Sequence, residues 1–429
     1  MTSALLTDRY EITMVEAALR AGTAHRESVF EVFARRLPEG RRYGVVAGTG
    51  RFLEELARFR FEEPELQWLR EAHIVDGPTL DWLADYRFSG DVRGYAEGDV
   101  YLPGSPLLVV ESTFAEGVLL ETLALSVLNY DSAVASAAAR MVAAADGRPL
   151  AEMGSRRTGE RSAVAAARAA YIAGFGATSN LEAGRTWGVP TMGTAAHAFT
   201  LLHDSEEDAF RAQVETLGPG TTLLVDTYDI PTAVRTAVEV AGTGLGAVRI
   251  DSGDLPSLVA QVRRQLDDLG ATGTKITVTN DLDEHTIAAL RAAPVDSYGV
   301  GTSVVSGSGH PAAGMVFKLV ARRGDDGEWV SVSKASADKA TVGGRKTPVR
   351  VIVDGVAQRE VIRIGDDRLR EGERSLLVPL VTGGVVDDRW TGAEGTRRAR
   401  EHRQAAVAEL PPSALRLSRG EPVVPTTYE

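Results

Sequence analysis

The chain has 429 residues, of which 44% are hydrophobic and 25% charged, with a formal net charge of −12 and no cysteine. That length exceeds one small core and predicts two domains, and the composition is ordinary for globular chains, which argues against disorder over any long span. The acidic balance argues against a nucleic-acid partner, since that needs a basic face to displace counterions, and the lack of thiols excludes disulfides and thiolate metal sites.

The opening Met1-Thr-Ser-Ala-Leu-Leu lacks the basic and apolar regions of a secretion signal, so a cytoplasmic protein is expected. From Asp8 to Gly22, Ile12, Val15, Ala18 and Leu19 recur at helical spacing, with Tyr10 at the helix entrance. Glu27 to Arg36 alternates two partly covered faces and predicts a strand; Tyr43 to Ala47 is a second apolar run. Asp91 to Glu111 is strand-rich and punctuated by Gly94, Gly98 and Pro103-Gly104. The apolar stretch Phe114 to Ala145 is broken by Glu121, Asn129, Asp131 and Arg140, which suits packed helices rather than a membrane span.

After Asp146-Gly147 short strands alternate with amphipathic helices. Strands are expected at Leu150–Met153, Gly176–Thr178, Val189–Thr194, Thr222–Val225, Ala247–Ile250, Lys275–Thr279 and Asp296–Val300. Asp204 or Ser205, Asp254 with Pro256, and Asp281 are candidate helix starts. Alternation at this spacing indicates parallel strands, in a barrel or a doubly wound sheet. No GxGxxG follows any strand, whereas polar residues stand at the end of nearly every one, as a barrel mouth requires. We therefore expect an α/β protein with an irregular, incomplete α/β barrel.

The strand ends define a chemistry. Arg156 and Arg157 offer a guanidinium clamp for phosphate or carboxylate. Arg249 and Asp251 point the same way on one strand end, where an ion pair and an anion contact both remain open. Asp226 and Asp251 suit sugar hydroxyls or Mg²⁺, and Gly301-Thr302 follows the last strand, where barrels bind phosphate. His197 stands beside them after the small residues Gly193-Thr-Ala-Ala. Together they describe a pocket for a phosphorylated, magnesium-bound sugar beside a histidine.

Leu6-Thr-Asp8-Arg-Tyr10, Phe30-Glu-Val-Phe-Ala-Arg-Arg36, Gly154-Ser-Arg156-Arg157, Thr178-Ser-Asn-Leu-Glu-Ala-Gly184, Gly193-Thr-Ala-Ala-His197, Asp226-Thr-Tyr-Asp229, Arg249-Ile-Asp251-Ser-Gly-Asp254, Gly299-Val-Gly301-Thr302 and Phe317-Lys-Leu together resemble the nicotinate phosphoribosyltransferase family, a type II phosphoribosyltransferase. The resemblance implies an N-terminal α/β domain (1–113), a barrel (114–317) and a C-terminal segment (318–429) that packs back to complete a sandwich-like domain. It implies that nicotinate and phosphoribosyl pyrophosphate give nicotinate mononucleotide and pyrophosphate, in NAD salvage, coupled to ATP hydrolysis. By motif, His197 is then phosphorylated by ATP, Arg249 faces the pyridine carboxylate, and Asp226 and Asp251 serve the ribose hydroxyls and Mg²⁺. Arg156 and the Gly301 region hold phosphates, Tyr10 stacks on the ring from a neighbouring subunit, and the protein is a homodimer with shared sites.

Two departures stand out. Met153 occupies a position where the family usually has a stacking aromatic, and Gly343-Gly344 replaces a usual Pro-Gly. For the lysines of Lys334 to Lys346, phosphate binding and a solvated loop both remain open. Rival readings are a nicotinamide-specific relative, disfavoured by the neutral Thr178-Ser179-Asn180 where those relatives carry an aspartate, a quinolinate-type enzyme, which would leave His197 without a role, and a non-catalytic phosphoribosyl-binding barrel.

Overall fold

The computed structural model describes residues 2–334 and 342–429. Two compact units emerge: unit 1 is Met1–Ser136 with His310–Glu429, and unit 2 is Ala137–Gly309. The change of sequence character near Phe114 marks the start of helices, Phe114–Val118 and Glu121–Ala145, and the division falls inside the second of them. The stretch Phe114–Ala145 is long and apolar enough to cross a membrane by composition, but 67% of its most apolar window is buried within the protein.

Unit 1 is built from both ends of the chain. Its seven-stranded sheet runs in the order Trp329–Ser331, Met315–Arg323, Glu27–Ala34, Pro106–Thr113, Asp91–Tyr95, Leu377–Thr382, Val385–Val386, and every pairing is antiparallel. Glu27–Ala34 is covered on both faces, as its two apolar registers require, and Phe30 stacks on Phe317 with ring centroids 5.1 Å apart. The helix Arg9–Arg20 turns Ile12, Val15 and Ala18 inward. A four-stranded sheet adds Glu373–Ser375, Lys346–Val353, Val356–Ile364 and the parallel strand Thr426–Tyr428. The helix Gly392–Ala408 occupies the charged stretch after Trp390 and buries Gly395, Thr396, Ala399 and Ala406.

A buried ion cluster joins these segments. Arg350, fully buried, donates to Asp99 at 3.0 Å, to Glu360 at 2.5 Å and to the Val100 carbonyl at 2.7 Å. Arg374 donates to Asp99 at 2.8 Å, and the His402 ring pairs with the same carboxylate at 3.1 Å. Burial works against the charge on Asp99, but His402, Arg350 and Arg374 more than offset it and hold the carboxyl well below its ordinary range.

Unit 2 is a curled parallel sheet in the order Ala177–Thr178, Leu150–Glu152, Ser297–Val300, Lys275–Val278, Ala247–Ile250, Thr222–Leu224. The strand expected at Val189–Thr194 is reduced to a single parallel bridge, Thr178 to Thr191. Pro190 brings no N–H to a ladder, so only its carbonyl and the Met192 N–H pair with Thr178. The barrel is therefore a half-barrel with open edges. Ser205 caps the helix Glu206–Leu217 and Asp229 caps Ile230–Ala241, whereas Asp283 rather than Asp281 caps Glu284–Ala289, its carboxylate accepting the N–H of His285 and of Thr286.

Candidate active site

The carboxyl ends of unit 2's parallel strands carry the polar residues anticipated there. Strand Thr222–Leu224 delivers Asp226, strand Ala247–Ile250 presents Arg249 and then Asp251, and the Thr191 bridge leads through Gly193 and Ala196 to His197, the first residue of the short helix His197–Leu202. Parallel strands end on one side, so residues far apart in sequence converge.

Asp226 is the hub of this group. Its Oδ1 lies 3.0 Å from His197 Nε2, while its Oδ2 accepts the Asp251 N–H at 2.8 Å and the Ser252 hydroxyl at 2.7 Å. The Asp226 side chain is 1% exposed and that of His197 is 40% exposed, so the ring is held from behind and open in front. Asp251 Oδ1 accepts the Thr279 hydroxyl at 2.5 Å. Among the described residues its other oxygen has no hydrogen-bond donor. Among the described residues no group of three or more histidines or carboxylates could cage a metal.

Arg249 lines a cavity of about 400 Å³ together with Arg156, Ser179, Met153, Met192 and Thr194. It donates to Thr194 Oγ1 at 3.3 Å, and its buried Nε has no partner. Burial pulls the Arg249 guanidinium below its ordinary value and Arg156 adds to that shift, while Asp251 and Asp226 oppose it. Such a cation, short of acceptors in a half-buried wall, suits a small anion.

The Arg157 N–H closes a turn on the Gly154 carbonyl at 2.8 Å, and both Arg156 and Arg157 side chains are exposed. Of the two, Arg156 faces the cavity. Gly301 precedes a single helical turn, Thr302–Val305. Met153 lies over Gly299, where an added Cβ would come within 2.7 Å of its sulfur. Tyr10 belongs to unit 1 and is 45% exposed; burial, with Glu121, Glu11 and Asp8, pushes its hydroxyl up to about 12. Lys334 and Lys346 are described, but Lys339 lies outside the described residues. Lys346 is buried on Glu31 at 2.6 Å. That side chain is spent on an internal pair.

Sequence reasoning missed several partners. Ser252 directly follows a recognised carboxylate and Thr279 closes the strand expected at Lys275–Thr279, a signal that adjacency could have supplied. Glu206, whose buried Oε1 has no partner, left no signal. Burial, with Asp229 and Asp226 nearby, pushes its carboxyl up to about 7.

With this geometry in place, comparison with known proteins is decisive. Residues 5–129 match the family model described as the nicotinate phosphoribosyltransferase (NAPRTase) N-terminal domain. The chain is 56% identical over 434 residues to nicotinate phosphoribosyltransferase pncB1 of Mycobacterium tuberculosis (strain CDC 1551), covering 98% of this chain and 94% of that one. It is 36% identical over 383 residues to the nicotinate phosphoribosyltransferase of Bacillus subtilis, covering 86% and 78%. Its fold is similar to that of human nicotinic acid phosphoribosyltransferase, with a TM-score of 0.83 at 24% identity over 99% of this chain and 97% of that one. The chain belongs to the nicotinate phosphoribosyltransferase family.

Proposed function

We propose that this chain transfers a phosphoribosyl group from phosphoribosyl pyrophosphate to nicotinate, giving nicotinate mononucleotide and pyrophosphate for NAD salvage. The observation that carries this reading is Arg249, a half-buried guanidinium with an unpaired Nε in the cavity wall. A pyridine carboxylate supplies the acceptor that Arg249 lacks, and an amide supplies a weaker one. In the transfer, the ring nitrogen's lone pair forms the bond to the sugar's anomeric carbon as that carbon's bond to pyrophosphate breaks. The electron pair leaves with pyrophosphate. The protein's task is to orient the two reactants and to stabilise the charge that develops on the leaving group, which falls to Arg156 with the Gly301-Thr302 turn. Mg²⁺ would enter as the complex of the pyrophosphate substrate, and Asp251, with Asp226 behind it, would be the protein group that holds it.

The same reading couples transfer to ATP. Asp226 occupies His197 Nε2, which leaves Nδ1 as the nucleophile for the γ-phosphoryl group. The N–P bond forms as ADP departs, and water later releases phosphate. The phosphorylated ring places about two negative charges beside the arginines. We read the working protein as a cytoplasmic homodimer that shares its sites. The exposure of Tyr10, and of Leu181, Leu202 and Tyr228, which stand next in sequence to the Ser179, His197 and Asp226 segments, supports cover by a second copy. The test is chromatographic measurement of nicotinate mononucleotide formed from nicotinate, phosphoribosyl pyrophosphate and Mg²⁺, with each component omitted in turn.

A further inference from the structure

Glu152 ends the strand Leu150–Glu152 and is fully buried, yet none of the steps above uses it. Three segments of the site meet on it. Its Oε1 accepts the Gly154 N–H, and its Oε2 accepts the Thr178 hydroxyl at 2.6 Å. Its backbone carbonyl accepts the Ser179 N–H at 2.8 Å. Thr178 Oγ1 in turn accepts the Asn180 N–H at 3.0 Å, and Asn180 Nδ2 donates to Ser155 Oγ at 3.0 Å. This ring of bonds starts at Glu152, crosses to the neighbouring strand end and returns to the turn that carries Arg156.

The third segment enters through Gly154. A Cβ there would lie 2.2 Å from Val305 Cγ1 and 2.9 Å from both Glu152 Oε1 and the Gly301 carbonyl, so only glycine seats the turn against the last strand's end. The bonding directions are fixed as well. Thr178 Oγ1 receives the Asn180 N–H and donates its own proton to the Glu152 carboxylate, which when ionised can only accept. The Glu152 carboxylate thus accepts from two donors, one on each oxygen. Burial pushes its carboxyl up, while the Thr178 and Gly154 donors oppose that shift. A carboxylate is costly to bury, and what it supplies in return is two convergent acceptors that no apolar side chain can replace.

We propose that Glu152 is a positioning residue for the phosphoribosyl donor: through Gly154 and Thr178 it clamps the Arg156 turn to the Ser179–Asn180 segment, so that Arg156 and Ser179 face one cavity at a set separation. The inference rests on the phosphoribosyl-transfer reading above. A glutamine at position 152 keeps the shape but brings one acceptor and one NH₂ group. With the acceptor on Gly154, the Thr178 hydroxyl must turn its proton away and accept from the NH₂ group, so a charge-assisted bond becomes a weaker neutral one and the clamp loosens on that side.

The test uses the purified full chain and the variants Glu152→Gln, Thr178→Val and Thr178→Ser. For each, KM and kcat are measured for phosphoribosyl pyrophosphate and nicotinate, and the melting temperature is measured with and without phosphoribosyl pyrophosphate. Glu152→Gln and Thr178→Val should each raise the KM for phosphoribosyl pyrophosphate about tenfold and shrink the rise in melting temperature that it induces. Thr178→Ser, which keeps the hydroxyl, should stay within about twofold of the unmodified chain. Should Glu152→Gln not fold, the Thr178 pair decides. Variants that melt earlier without ligand, yet keep the original KM and ligand-induced shift, would make Glu152 merely structural and overturn the inference alone. An unmodified chain whose melting phosphoribosyl pyrophosphate does not move would overturn the transfer reading and the inference with it.

Discussion

His197 Nε2 and Asp226 Oδ1 lie 3.0 Å apart, and the same carboxylate holds the backbone of Asp251 through its other oxygen at 2.8 Å. One side chain therefore sets both the ring that is proposed to take the phosphoryl group and the strand end proposed to meet magnesium. The proposed coupling between the two reactions would run through Asp226.

Removing the ring should separate the two proposed activities. In His197→Ala, stimulation of product formation by ATP should fall to none, while transfer without ATP persists, because nothing in the transfer step uses the imidazole. The side chain is 40% exposed, so the melting temperature should change little. Stimulation that survives this change would remove His197 from the coupling.

Asp226→Asn should be worse than His197→Ala. The amide cannot accept from the imidazole, the Asp251 N–H and the Ser252 hydroxyl at once, so both strand ends lose a restraint. Loss of a hydrogen bond to a charged group corresponds to about tenfold to a hundredfold in rate. We expect that loss in kcat with ATP absent as well as present; initial rates under both conditions check it.

Arg249→Ala should discriminate between bases. Removing a partly buried cation from a charged contact costs about 2–5 kcal/mol, so kcat/KM for nicotinate should fall by at least about thirtyfold, and any rate with nicotinamide should fall less. Equal losses for the two bases would show that Arg249 holds the fold rather than the carboxylate.

Glu206 makes stability depend on pH near neutrality. Burial, with Asp229 and Asp226 nearby, raises its carboxyl from an ordinary 4.5 to about 7, so the folded state binds the proton more tightly than the unfolded chain. Stability is fully present below about 4.5 and is lost as pH rises through about 7. Glu206→Gln should therefore match the original chain in melting temperature at pH 4.5 and exceed it at pH 8. Parallel melting curves across that range would contradict the assignment.

In unit 1 the prediction concerns stability alone. Asp99→Asn leaves Arg350, Arg374 and His402 around a neutral side chain, and breaking a buried pair on one side costs about 3–5 kcal/mol. The unfolding midpoint in urea should fall accordingly. The strands that carry this cluster come from both ends of the chain, so limited proteolysis should also begin earlier in the variant.

Much of the site was legible because its residues stand where periodicity ends. Asp226, Arg249 and Asp251 follow or close short apolar runs, and a parallel sheet puts such positions on one side. The half-barrel was legible for the same reason. Less visible was anything set by a local donor. The run Val189–Thr194 has a strand's composition, but Pro190 lacks an N–H and leaves a single bridge. Asp283 rather than Asp281 caps its helix, because two nearby acidic residues compete and only geometry chooses. Glu152 and Glu206 were illegible as functional candidates, since burial and the lack of a partner are properties of the fold and not of the letters around them.

The most direct test of the account is mononucleotide formation from phosphoribosyl pyrophosphate and Mg²⁺ with nicotinate, nicotinamide or quinolinate offered separately, each with and without ATP. Product should form chiefly from nicotinate, in greater amount with ATP. Product chiefly from nicotinamide, or product from nicotinate that ATP leaves unchanged, would contradict it.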